Sequence, residues 1–169
     1  MSGIGVTVVF ATVTTEPTLA DDEMRLAEIA ADLLARVRAA APVWLRQRSA
    51  ALCAAAGVAG DGVDAAVDDT LALLDPELER ILLADPDAGA GSPLAAIRAS
   101  TRPLTEQLRS IGVPPVIRDA FSQENFRDDL FDFGPAAFAD IHESLHEPGL
   151  MWGAARAHVH LRRRREADT

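Results

Sequence analysis

Two histidines, His142 and His146, flank Glu143 in the run His142-Glu143-Ser144-Leu145-His146. On an uninterrupted helix, residues four apart sit one turn above each other. Both imidazoles can then bind a single Zn²⁺, and the glutamate can reach the metal-bound water as general base. A hydrolytic zinc centre also needs a third protein donor. His158, His160 and Glu166 are the candidates, and the last helix must fold back to deliver any of them.

The HExxH run resembles the zinc-binding helix of the zincin metallopeptidases. Gly149 also falls where the longer HExxHxxG pattern of the metzincins has its turn. The resemblance implies a bound zinc ion, held by His142 and His146, with Glu143 as the catalytic base. It ends at Gly149: Trp152 stands where a metzincin has its third ligand, and Glu166 lacks the surroundings of a gluzincin ligand. Asp140 and Glu147 put charges where zincin helices carry uncharged residues. Glu143-x-x-His146 also resembles one half-site of the ferritin-like di-iron bundles, but no second ExxH is present. The plainer expectation is structural. Phe138, Ile141 and Leu145 form a buried stripe, His142 borders it, and an imidazolium in the last turn before Pro148 is favoured by the helix dipole.

A second acidic pattern, Asp128-Asp129-Leu130-Phe131-Asp132, resembles the DDxxD motif of helical isoprenoid synthases, where clustered carboxylates hold Mg²⁺ against a diphosphate. Asp64, Asp68 and Asp69 are the candidates for a second carboxylate group, although acidic helix faces are usually solvated. Residues 85–91 open with Asp-x-Asp but lack the other acids of a calcium loop and read as a linker. The lone cysteine, Cys53, sits among alanines with no histidine near it in sequence, so it reads as a core residue. Arg98, Arg102 and Arg109 are read as surface ion pairs. Arg156 and residues 162–165 make a basic tip without the interleaved aromatics of a nucleic-acid site.

The elements that must position these groups read as helices. At 169 residues, with 49% hydrophobic and 25% charged side chains, the chain has the composition of one globular domain. The net charge is −10 and all 16 basic residues are arginine. One cysteine excludes an internal disulfide framework. Only residues 6–14 have strand composition, and they lack the basic residues that precede a signal peptide's apolar stretch. Thr18 and Asp21 form a capping-box variant, followed by apolar residues at helical spacing. Pro42 then predicts an end or kink, with a second helix over 43–56 stopping at Gly57. Asp61 opens a helix to about residue 74, and Asp75-Pro76 opens the next. Pro93 starts another, which Pro103 kinks or restarts before Gly112. Gly134-Pro135 begins the penultimate helix, Pro148-Gly149 stops it, and the final helix runs from about residue 150 into the arginines.

The expectation is therefore an all-α fold: a single compact bundle of six or seven helices with a short β-like N-terminal arm. Its parts are an arm at 1–17, a helical domain at 18–165 and a tail at 166–169. No catalytic constellation is complete, so the leading expectation is a cytoplasmic, non-catalytic binding or protein-interaction module without a cofactor. Its contact elements are the arm, which favours a protein partner or a homodimer, and the basic tip. A small-molecule ligand is expected near the phenylalanines of residues 121–138. Nucleic acid and membrane are not the expected partners. The alternative is a zinc-dependent hydrolase at His142, Glu143 and His146.

Overall fold

The computed structural model describes residues 17–83, 93–116, 130–131 and 133–168, with the side chains of 93–95 left aside. Among these, six α-helices and one 3₁₀ turn carry the fold, and no strand occurs. The helices are α1 (Leu19–Ala56), α2 (Val63–Leu83), α3 (Pro93–Ser100), α4 (Arg102–Ser110), α5 (Phe138–Ile141) and α6 (His146–Ala167). The 3₁₀ turn spans Glu143–Leu145, between α5 and α6. No described helix is long and apolar enough to cross a membrane.

The Thr18 hydroxyl accepts the Asp21 N–H at 3.2 Å, and the Asp21 carboxylate accepts the Thr18 N–H at 2.8 Å. The predicted capping box thus starts α1 and satisfies two backbone donors. At the other end Gly57 adopts φ 65°, a left-handed conformation that ends the helix at low steric cost only without a Cβ.

Between these caps the helix is continuous, which corrects the boundary expected at Pro42. Proline removes one N–H and crowds the Arg38 carbonyl one turn back. Burial on both sides outweighs that cost: Leu33, Val37, Ala41, Leu45, Ser49 and Cys53 are all buried, at a spacing of four. Four residues overshoot one helical turn by about 40°, so this stripe winds around α1 and meets different partners along its length. Its first half joins Leu74, Leu78, Leu82 and Leu145 in one core cluster. Its second half joins Val63, Val67, Leu104, Leu108, Phe131 and Phe133 in another.

Pro76 is corrected in the same way. It lies inside α2, whose buried residues run from Val63 to Leu82 across it. Pro148 and Gly149 do not stop a helix either; they lie in the first turn of α6. A proline there loses only an N–H that would have no intrahelical partner. Gly149 has a separate role, because a Cβ at this position would stand 2.7 Å from Phe138 Cδ2. The helix expected from Gly134-Pro135 is a single turn, α5, whose entry is capped by Asp140: its carboxylate accepts the N–H groups of Ala136 (2.7 Å) and Ala137 (2.8 Å). Pro93 and Pro103 do fall at helix starts. The Leu104 N–H in the first turn of α4 donates to the buried Thr70 hydroxyl of α2 at 3.3 Å.

Helix α1 has two long partners. Arg38 bridges to Asp75 (2.5 Å) and Glu79 (3.0 Å) of α2, and Arg46 to Asp68 (2.5 Å) and Asp64 (3.8 Å). Near its N-terminus, Asp22 accepts from Arg162 of α6 (2.5 Å) and faces His158 (3.1 Å), while Glu23 accepts from Arg163 (2.7 Å). Arg162 also donates to the Pro17 carbonyl at 2.6 Å. Part of the basic tip expected to meet a partner thus folds onto the chain's own α1, and the helix continues through 166–167.

Candidate functional site

His142 does not lie on a helix. Its backbone is extended (φ −163°, ψ 137°), and it caps the 3₁₀ turn by accepting the Ser144 N–H on Nδ1 at 3.2 Å. The Ser144 hydroxyl lies 2.7 Å from the same nitrogen. His146 is the first residue of α6. The HExxH run therefore straddles a helix break, which removes the one-turn stacking that the zinc arrangement requires. The break also removes the basis of the dipole expectation, because His146 stands in the first turn of a helix and not in a last one. Leu145 is buried as expected, with Phe138 and Ile141 partly buried against its cluster, and both histidines are exposed.

The third-donor candidates lie along α6 itself. At about 1.5 Å rise per residue, His158, His160 and Glu166 sit about 18 to 30 Å along the axis from His146. His158 faces Asp22, and Glu166 lies 3.6 Å from Arg162. Among the described residues no group of three His, Cys, Asp or Glu side chains is placed to hold a metal ion. Glu143, His146 and Glu147 border a cleft of about 940 Å³ together with Glu28, Asp32 and Arg36 of α1. Its charged side chains reach solvent or each other, as Arg36 and Asp32 do at 2.7 Å.

Of the other motif residues, Asp128, Asp129 and Asp132 lie outside the described residues, as do the arm at 1–16, the linker at 85–91, Phe121 and Phe126. Asp64 and Asp68 face Arg46. Arg102 pairs with Glu106 at 2.8 Å. Cys53 is buried in the core, and burial pushes its thiol pKa up, away from a reactive thiolate.

The most apolar concave space lies elsewhere. A cavity of about 390 Å³ sits where the two core clusters meet. Its walls come from α1 (Val37, Ala41), α2 (Leu74, Leu78), α3 (Ile97), the 133–137 segment, α5 and α6. Phe133 and Phe138 of the aromatic segment line it. Both tryptophans of the chain, Trp44 and Trp152, line it too. Trp152 meets Phe138 edge-on with ring centres 6.0 Å apart. Its indole N–H donates at 3.2 Å to the Leu82 carbonyl in the last turn of α2, where intrahelical donors run out. Gly149 makes this corner: without a Cβ, α6 comes close enough for the Phe138 ring to lie against its backbone. Arg156, one turn beyond Trp152, lines the cavity with its guanidinium 5.2 Å from the Trp152 ring centre.

Sequence reasoning missed this cavity because its walls come from residues up to 119 positions apart, from Val37 to Arg156. The readable signal was the phenylalanine cluster, together with two tryptophans in a chain poor in aromatics. No known protein family, curated protein or solved structure matches this chain.

Proposed function

We propose that this protein is a non-catalytic binding module of the cytoplasm, and that its ligand site is the apolar cavity between α1, α2, α5 and α6. The observation that carries the reading is the cavity itself. Its volume of about 390 Å³ is within the range of small-molecule sites. Its wall is aliphatic and aromatic, which favours an apolar ligand through water exclusion and dispersion. Five of the six helices, all but α4, contribute to its wall, and a lone buried cysteine fits a reducing compartment. Nothing in the geometry favours hydrolysis at His142, Glu143 and His146.

The test is uptake of the neutral fluorophore N-phenyl-1-naphthylamine. Saturable binding of one molecule per chain is expected, with energy transfer from the two cavity tryptophans. Ile97→Trp, which fills the wall from α3, weakens uptake about tenfold or more while circular dichroism stays helical. Absence of saturable uptake, or uptake indifferent to Ile97→Trp, overturns the reading.

A further inference from the structure

The cavity wall is apolar apart from a few groups, and two of its polar groups are already engaged. The Thr101 hydroxyl donates to the Arg98 carbonyl at 2.8 Å, and the Trp152 indole N–H to Leu82. Arg156 is the one charged residue among those lining the space. Acidic residues outnumber basic ones by 26 to 16, yet among the described residues no carboxylate pairs with this guanidinium, whose recorded contact is the face of Trp152. Arg36, Arg38, Arg46, Arg80, Arg102, Arg162 and Arg163 all have carboxylate partners. A cation–π contact uses none of the guanidinium's N–H donors, whose fork matches a carboxylate.

From this charge complementarity we infer that the ligand is an amphipathic carboxylate, an aliphatic acid whose chain fills the cavity and whose carboxylate pairs with Arg156. The inference rests on the cavity reading above and adds the ligand class. Volume sets the length: at the roughly 30 Å³ that a water occupies in the liquid, a share close to that of a methylene, the space takes about a dozen groups. Decanoate is the matching probe, with 1-decanol as its uncharged counterpart. Only the carboxylate can use the arginine as an ion-paired acceptor.

The experiment titrates decanoate and 1-decanol at pH 8, below micellar concentrations, into the full chain and into Arg156→Gln, reading tryptophan emission. In the wild type decanoate binds roughly ten- to hundredfold more tightly than decanol, the range of one charge-assisted hydrogen-bonded contact. Arg156→Gln abolishes that preference by weakening decanoate, and circular dichroism shows that the variant keeps its helices. Equal affinities in the wild type, or a preference that survives Arg156→Gln, overturn the carboxylate assignment and leave the cavity reading standing. Failure of both compounds, together with failure of the neutral fluorophore, overturns the cavity reading and this inference with it.

Discussion

Helices α2 and α6 have nearly the same length and both lie along α1, but they are held to it by different forces. Along α2, buried side chains run from Val63 to Leu82. Among the described residues of α6, only Val159 is buried. The first interface is interdigitated apolar packing with ion pairs at its exposed edge. The second depends on the Asp22–Arg162 and Glu23–Arg163 pairs, the Trp152 hydrogen bond and the Trp152–Phe138 contact. Non-directional packing closes space, whereas a few directional contacts can hold a helix in place and leave a gap beside it. The cavity lies where α6 meets the α1–α2 pair.

The strongest way to break that comparison is to remove one group from each interface. Leu33 is fully buried on α1, so Leu33→Ala should cost about 2 to 5 kcal/mol and lower the urea midpoint of the whole domain. Trp152 is half-buried, and Trp152→Ala should cost less, about 2 kcal/mol, below the range for a core tryptophan. Hydrogen exchange separates the two variants. Leu33→Ala should raise exchange in α1 and α2 together, while Trp152→Ala should raise it in α6 and leave the middle of α2 protected. Equal loosening of α2 in both would show that α6 is packed as tightly as α2.

Acid sharpens the comparison with a smaller effect. A hydrogen bond from Arg162 holds the Asp22 carboxyl below the usual carboxylate range, helped by His158 and opposed by burial. Its folded pKa is therefore below its unfolded value, near 3.9. The stabilisation is complete above that value and is lost as pH falls through the folded one. Asp75 is depressed by Arg38 in the same sense, but α2 keeps its apolar contacts when that pair is lost. Between about pH 5 and 2, α6 amides should therefore lose protection before those of α2. Asp22→Asn should lower α6 protection at neutral pH and flatten its acid dependence.

How much of this was legible in the sequence depends on the range of the forces involved. The Thr18–Asp21 box, the Gly57 stop and the starts at Pro93 and Pro103 are set by neighbours within a few residues, and all were readable. Pro42 and Pro76 misled because local cost was weighed without the buried stripes that carry α1 and α2 through them. Pro148 misled by position, since the same residue stops a helix from behind and is tolerated in its first turn. Gly149, read as a stop, is a close-approach glycine, and nothing local marks the Phe138 ring that it accommodates. The HExxH spelling was legible, but the helix it presumed was not there. The cavity depends on contacts across most of the chain, so only its aromatic lining left a trace.

The smallest expected effects fall on the residues that stand out most in the sequence. His146 is exposed at the start of α6, and His146→Ala should change stability by less than about 0.5 kcal/mol, the range of an ordinary surface substitution. His142 does a little more, because its Nδ1 accepts the Ser144 N–H and closes the turn into α6. His142→Ala should cost about 0.5 to 1 kcal/mol, as loss of a capping acceptor does, and His142→Asn should restore most of it. That order separates a cap from a zinc ligand. Asparagine supplies an acceptor oxygen for the turn but does not replace an imidazole at a zinc site. Protein purified without a tag should carry no stoichiometric zinc by elemental analysis. If it does carry zinc, and both His142→Asn and His146→Ala release it, the break between the two histidines is not the arrangement in solution.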